Sequence, residues 1–125
     1  MRRKFNNVPS PAFGLMFRSK KERDHCLFLE SEKNAGRITK WQYEKFYNLE
    51  VNGHLVCKIL PDFTVTYPDG RVSVHEIKGG NATKTDGWRI RMKLFKVLYP
   101  HIEYVLFDGR PKFTVRHDDF TEEEL

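Results

Sequence analysis

The stretch PDFTVTYPDGRVSVHEIK, residues 61–78, contains two strand-like runs joined by the turn Tyr67-Pro68-Asp69-Gly70. Proline and glycine at such positions favour a tight turn, so the two runs are expected to pair as neighbouring strands. Pairing would bring Asp62 from the first run close to Glu76 and Lys78 from the second. Two carboxylates and an ammonium in that arrangement could hold a divalent cation against a phosphate. The same pattern also occurs on solvated strand surfaces, so the flanking sequence is needed to distinguish a cation site from such a surface.

Local rules predict how these side chains are presented. Pro61 cannot donate to a strand ladder, so it is expected at an edge or a bulge that would re-aim Asp62. We interpret residues 54–67 as one long strand interrupted at this proline. In the following strand a period of two places Glu76 and Lys78 on one face, with His75 on the other. Asp62, Glu76 and Lys78 are therefore the candidate catalytic residues, and the two acids are the candidate metal ligands.

A helix is predicted upstream, starting at Ser19 and ending before Gly36. Ser19 and Glu22 have the spacing of a capping box, and glycine favours the helix end. Cys26 and Leu29 follow Glu22 at i+4 and i+7, which places this acid on the apolar face. A buried charge needs a partner, so Glu22 is either part of the cap or a third acid of the site. The helix alone favours the cap.

The remaining chain predicts an α/β fold with a mixed sheet. Strand-like sequence from residue 41 leads to the hairpin turn Asn52-Gly53. Beyond the loop at 79–87, a second helix is expected from Trp88 to Tyr99, followed by strands at 102–107 and 112–116. The order helix, three strands, helix, one or two strands combines antiparallel hairpins with a parallel crossover.

Basic residues cluster on one stripe of the predicted second helix. Its apolar stripe consists of Trp88, Met92, Phe95 and Tyr99, and the basic residues lie beside it. They are either an ordinary solvated face or contacts to phosphates. The candidate DNA-binding residues, including a loop lysine and the amino-terminal cluster, are Arg89, Arg91, Lys93, Lys96, Lys84, Arg2, Arg3 and Lys4.

Composition limits the number of domains and the classes of partner and compartment that are expected for this chain. The 125 residues predict a single domain, with a flexible basic arm at 1–17 and an acidic tail at 118–125. A net charge of +5 favours a polyanionic partner. Cys26 and Cys57 lack metal-ligand spacing, which argues against a zinc site or a disulfide framework. No apolar stretch suits a signal peptide or a membrane span, so an intracellular protein is expected.

The residues Pro61-Asp62 and Glu76-Ile77-Lys78 resemble the signature of the PD-(D/E)XK nuclease superfamily. The resemblance implies a restriction-endonuclease-like core of order α-β-β-β-α-β, its mixed sheet flanked by helices. It also implies that Glu22, from the first helix, joins the site as a catalytic acid and metal ligand. The backbone carbonyl of Ile77 would be a further ligand. The implied cofactor is Mg²⁺, with Mn²⁺ as a substitute.

The resemblance extends over residues 17–107. The runs at 17–22, 35–38 and 91–95 are similar to small phage endonucleases, and residues 61–107 are similar to phage Holliday junction resolvases. This implies a metal-dependent DNA endonuclease of DNA recombination, acting on branched DNA as a homodimer in the host cytoplasm. The alternative is a non-catalytic DNA-binding module on the same fold, which only a cleavage assay would separate from the enzyme.

Overall fold

The computed structural model describes residues 8–10, 15–17, 19–77, 85–107 and 114–116. These residues form two helices and nine strands, in an α/β arrangement with a mixed sheet flanked by helices, as predicted. In chain order they are β1 (Val8–Ser10), β2 (Leu15–Phe17), α1 (Lys20–Asn34), β3 (Lys40–Tyr43), β4 (Tyr47–Val51), β5 (His54–Ile59), β6 (Phe63–Thr66), β7 (Val72–Ile77), α2 (Asp86–Leu98), β8 (Ile102–Phe107) and β9 (Thr114–Arg116).

The main sheet of the described chain has five strands in the order β3-β6-β7-β8-β9. β6 runs antiparallel to both β3 and β7, and β9 runs antiparallel to β8. β7 and β8 are parallel, because α2 carries the chain back to the start of the sheet between them. The Pro68-Asp69-Gly70 turn between β6 and β7 is found, with Gly70 at φ +90 and its N–H donating to the Tyr67 carbonyl.

The first helix has the termini that its sequence predicts, and the second helix starts earlier than predicted. The Ser19 hydroxyl accepts from the Glu22 backbone N–H at 3.1 Å, and Gly36 follows α1 at φ +80. α2 starts at Asp86, two residues earlier than predicted, because the Thr85 hydroxyl caps it by accepting from the Trp88 N–H at 3.1 Å. The predicted pair of amphipathic helices is confirmed.

Two apolar cores lie on opposite faces of the main sheet. The core under α1 consists of Phe17, Cys26, Leu29, Ile38, Phe63, Val65, Ile77, Val105 and Phe107. The core under α2 consists of Tyr47, Leu49, Ile59, Val74, Trp88, Met92, Phe95, Tyr104 and Leu106. Successive residues of β7 and β8 alternate between these cores, as the two-residue period of a strand requires.

The structure corrects the single strand predicted over residues 54–67. β5 pairs with β4 in a separate two-stranded hairpin, and β6 belongs to the main sheet. Pro61 is buried in the link between them, and the register irregularity that we expected there falls at Leu49/Glu50 instead. The hairpin packs against α2 rather than extending the sheet, so the chain has to change sheets at this link. A residue without an N–H donor suits a position outside any ladder.

The amino-terminal arm is also corrected where the structure describes it. β1 and β2 pair antiparallel, and Phe17 is fully buried with its ring centroid 4.7 Å from that of Tyr43. Apolar burial therefore anchors a stretch that composition alone made look like a flexible arm. Arg2, Arg3 and Lys4 lie outside the described residues, as does the acidic tail at 118–125. Neither described helix has the length and apolar character needed to cross a membrane.

Candidate functional site

Asp62 and Glu76 meet at one end of the β6–β7 pair. Phe63 pairs with His75, so the next step of the register sets Asp62 opposite Glu76. The Asp62 side chain is buried and its Oδ2 accepts from the Ile77 backbone N–H at 2.7 Å. The carboxyl groups of Asp62 and Glu76 are hydrogen-bonded to each other. The turn at residues 67–70 thus brings two acids that are fourteen positions apart into direct contact.

Glu22 is the third acid near this point. It lies in the first turn of α1, is buried, and its Oε1 accepts from the Tyr43 hydroxyl at 2.6 Å. Its charge also raises the pKa of Asp62. Ser19 caps the helix through the Glu22 backbone N–H, while the Glu22 carboxylate accepts from Tyr43 and its charge acts on Asp62. The residue therefore contributes to the cap through its backbone and to the electrostatics of Asp62 through its carboxylate.

The crowding of these acids changes the ionisation of Asp62. Its pKa rises from 3.8 to about 9, mainly because burial penalises the charged form and then because Glu76 and Glu22 are close. The hydrogen bond from the Ile77 N–H acts in the opposite direction. Two carboxyl groups can hydrogen-bond to each other only when one of them holds a proton. Asp62 consequently holds a proton at neutral pH, in a place where a cation could balance the charge instead.

Two tyrosines orient the acids from either side. Tyr104, fully buried on β8, donates its hydroxyl to Glu76 Oε1 at 2.6 Å. Burial and the Glu76 charge raise the pKa of Tyr104 well above 10, so the phenol stays protonated and remains a donor. Tyr43 likewise donates its hydroxyl to Glu22 Oε1. Sequence reasoning missed both residues; the available signal was that a tyrosine buried in a strand needs a partner for its hydroxyl.

The donor set fits a hard cation with few protein ligands. Within the described ranges, no group of three or more His, Cys, Asp or Glu side chains is arranged to hold a metal ion. Asp62 and Glu76 still supply two contiguous carboxyl groups, and the Ile77 carbonyl follows directly in the chain. Mg²⁺ is commonly held by one or two carboxylates while water and substrate phosphates fill its other positions. Lys78, the predicted fourth member, lies outside the described residues.

A groove of about 470 Å³ opens beside the acids, between the β4–β5 hairpin and the start of α2. It is lined by Phe46, Cys57, Lys58, Ile59, Leu60, Glu76, Thr85, Trp88 and Arg91. An Arg91 guanidinium nitrogen lies 3.2 Å from the point where a side-chain carbon on Gly87 would be, so glycine leaves room for it. The groove therefore joins a site carboxylate, a lysine, an arginine and an exposed aromatic ring.

The other basic residues of α2 are placed differently. Arg89 pairs with Asp86 across 3.3 Å near the exposed start of the helix. Lys93 and Lys96 are half-buried further along α2 and do not belong to the lining of the groove. Of the four basic residues predicted on this helix, Arg91 is the one that lines the groove. Lys84 lies outside the described residues.

A hydrogen-bonded chain occupies the opposite face of β7. His75 Nδ1 lies 2.9 Å from His25 Nε2, and His75 Nε2 lies 3.1 Å from the Ser73 hydroxyl, which in turn contacts the Tyr67 hydroxyl. Burial lowers the pKa of His25 to about 4 and lowers that of His75 well below 6.5. The expectation that His75 faces away from Glu76 is confirmed. Cys26 and Cys57 are free thiols.

Comparison with known proteins identifies a family without an assigned activity. A family model described as "Protein of unknown function (DUF1064)" matches residues 2–117. No curated protein and no solved structure matches the chain.

Proposed function

We propose that this chain, which belongs to the DUF1064 family described as proteins of unknown function, is a metal-dependent DNA endonuclease. The observation that carries the proposal is the contact of the buried Asp62 with Glu76, with the charge of Glu22 nearby, beside a groove that Lys58 and Arg91 line. A buried acid in contact with a second acid, as Asp62 is with Glu76, is costly unless one of them is protonated or a cation is bound. An opening lined with lysine and arginine next to such a pair suits a phosphate ester.

The order of elements supports the same proposal. Without the inserted β4–β5 hairpin, α1, β3, β6, β7, α2 and β8 follow one another in the order α-β-β-β-α-β. This is the order implied by the resemblance to the PD-(D/E)XK nuclease superfamily. The acids also fall where that resemblance requires them, before β6, near the end of β7 and in the first turn of α1.

Each residue of the site would have its own role in metal binding, phosphate binding or charge stabilisation. Asp62 and Glu76 would hold Mg²⁺ or Mn²⁺, with the Ile77 carbonyl as a further ligand. When bound, such a cation would neutralise charge on the phosphate and acidify a water molecule. Tyr104 and the Ile77 N–H each orient one of the two acids, and the cation would take the place of the proton between the carboxyl groups. Arg91 and Lys58 would contact the phosphodiester backbone, and Lys78 would stabilise negative charge.

The proposed substrate is DNA, with branched forms such as Holliday junctions as the leading class and a homodimer as the active assembly. In this proposal DNA shape contributes most of the selectivity, because phosphate contacts position a protein on DNA without reading its sequence. The proposed location is intracellular, in the host cytoplasm for a phage-encoded protein.

The decisive test is cleavage of four DNA forms side by side with Mg²⁺: a four-way junction, a flap, a linear duplex and a single strand. We expect wild-type protein to cut at least one of them, and Asp62→Asn, Glu76→Gln and Lys78→Ala to lose cleavage while retaining binding. Asp69→Asn changes an exposed acid of the turn in the same hairpin and serves as the matched control. Wild-type rates in Asp62→Asn would refute the proposal.

One observation favours the non-catalytic alternative, a DNA-binding module. The described residues contain no three-residue metal cluster of His, Cys, Asp or Glu. A thermal shift separates the two functions, because a ligand that binds only the folded state raises its stability. The endonuclease requires Mg²⁺ or Mn²⁺ to raise the melting temperature of wild type but not of Asp62→Asn. A module predicts no shift in either protein and no cleavage of any DNA form.

A further inference from the structure

The groove beside Glu76 contains an aromatic ring that the proposed chemistry does not use. The Phe46 side chain, just ahead of β4, is 60% exposed and yet lines this groove. The nearby rings of Tyr47 and Trp88 are buried in the core. A large apolar ring at an open groove that also contains charged side chains has surface available for a flat partner.

Positive charge lies on the same surface. Lys58 is on β5, opposite Asn48, and its ammonium lies 5.7 Å from the centre of the Phe46 ring. Arg91 reaches the groove from α2 on the other side. A partner that fits both features carries a planar ring and a negative charge a few ångströms apart, which describes a nucleotide. Bases stack on exposed aromatic rings in proteins that bind single-stranded nucleic acid, while basic residues follow the phosphates.

We infer that Phe46, Lys58 and Arg91 form a subsite for one unpaired nucleotide of the DNA strand whose phosphate lies at Glu76. The subsite rests on the proposed endonuclease function and narrows its substrate class. A base inside a duplex has both faces covered by neighbouring bases, so only an unstacked base can lie on Phe46. Substrates with an unpaired base next to the cleaved bond, such as flaps, splayed arms and opened junctions, are therefore preferred over continuous duplex.

The size of the groove is consistent with this occupant. At about 470 Å³ it falls within the range of roughly 300–1,000 Å³ that is typical of sites for small molecules, and it suits a single nucleotide. Glu76 borders the same groove, so a nucleotide stacked on Phe46 would have its phosphate near the acids. The subsite and the candidate metal ligands are thus parts of one continuous surface.

The test measures binding separately from cleavage. Fluorescence anisotropy in EDTA reports affinity for a splayed-arm DNA and for a fully paired duplex of the same sequence. We expect Phe46→Ala to weaken binding of the splayed arm about five- to hundredfold, with little change for the duplex. Phe46→Trp keeps a stacking ring and should retain affinity. Val56→Ala, an equally exposed residue on the same hairpin, is the matched control and should change neither.

The possible results separate this inference from the proposed function. Equal losses on both DNA forms, or a loss as large in Val56→Ala, would overturn the subsite. So would an unchanged affinity with a shift in oligomeric state, because Phe46 would then belong to a contact between two copies. If wild type cuts DNA with Mg²⁺ and Phe46→Ala still prefers splayed-arm DNA to duplex, the subsite is refuted and the endonuclease proposal is retained. If Phe46 controls splayed-arm binding but no DNA is cut, the subsite stands and the endonuclease fails.

Discussion

His75 and Glu76 are neighbours in β7, and their side chains lie on opposite faces of the sheet in different surroundings. His75 is buried under α1, where His25 and Ser73 engage both of its ring nitrogens. Glu76 faces α2, where it contacts a second carboxyl group and borders an open groove. Each is one half of a close pair of like titratable groups. The histidine pair is buried in the core under α1, and the acid pair lies at the surface of the proposed site.

The difference lies in which charge state the surroundings favour. Neutral histidines can donate to and accept from each other, so the pair on the α1 face is satisfied without charge. Two carboxyl groups in contact cannot both ionise cheaply, and the pKa of Asp62 is raised first by burial and then by the nearby charges of Glu76 and Glu22. A pair that is satisfied as neutral groups indicates a structural role. A pair that needs a proton or a cation indicates a functional site.

The largest expected effect on DNA cleavage comes from replacing Asp62, one of the two acids in contact. Asp62→Asn should reduce Mg²⁺-dependent DNA cleavage by about a thousandfold or more, because several kcal/mol of charge stabilisation are lost. The same substitution should leave the metal-free melting temperature unchanged or higher, since it replaces a protonated acid with a neutral amide. Cleavage rates and thermal unfolding in EDTA would be measured together. A lower melting temperature with unchanged cleavage would reverse the roles that we assign to the two faces.

The histidine face should appear in the pH dependence of stability. His25 has a pKa of about 4 in the folded chain and about 6.5 when unfolded, so the unfolded state takes up the proton first. Stability should hold above pH 6.5 and fall as the pH drops towards 4. The shift of His25 corresponds to about 3 kcal/mol, and His75 shifts in the same direction.

This loss is best measured in an Asp62→Asn background. Asp62 has a raised pKa, so it stabilises the folded state as the pH falls and would mask part of the histidine effect. Denaturant unfolding at several pH values gives the free energy directly. His54→Gln changes an exposed histidine of the β4–β5 hairpin, and it should leave the loss of stability between pH 6.5 and 4 unchanged. A flat profile between pH 6.5 and 4 would show that the His25–His75 pair does not remain neutral.

A smaller effect is expected from the phenol that orients Glu76. Tyr104→Phe should weaken activation by Mg²⁺ about 10- to 100-fold, as is typical when an outer partner of a metal ligand is removed. The metal concentration needed for half-maximal cleavage should rise more than the saturated rate falls. Tyr47→Phe is the matched control, because Tyr47 is also buried and bonds Thr64 instead of an acid. Equal losses in both variants would mean that Tyr104 acts through stability alone.

The smallest effect tests the space left by Gly87. Gly87→Ala should stabilise α2 by up to about 1 kcal/mol, because alanine is the better helix former. The new methyl group would stand 3.2 Å from the Arg91 guanidinium and displace it by a few tenths of an ångström. We expect DNA affinity to fall less than tenfold while the melting temperature rises. Affinity and stability that rise together would place Arg91 outside the DNA-contacting surface.

The sequence by itself determined the local elements and which residues could carry the chemistry. The caps at Ser19 and Gly36, the turn at 68–70 and the alternation along β7 depend on a few neighbouring residues, so local rules predict them. Those rules placed Asp62 and Glu76 on adjacent strands and put His75 on the other face. Glu22 could only be narrowed to two roles, since its spacing satisfied both a cap and a buried acid.

The tertiary structure alone decided how these elements combine. The hairpin at residues 47–59 looked like part of one sheet because strand periodicity does not say which strand is the partner. Its docking on α2 creates the groove that holds Phe46, Lys58 and Arg91. Tyr104 reaches Glu76, 28 positions away in the chain, only because β8 lies parallel to β7. Contacts over such separations depend on global packing, which no local pattern encodes.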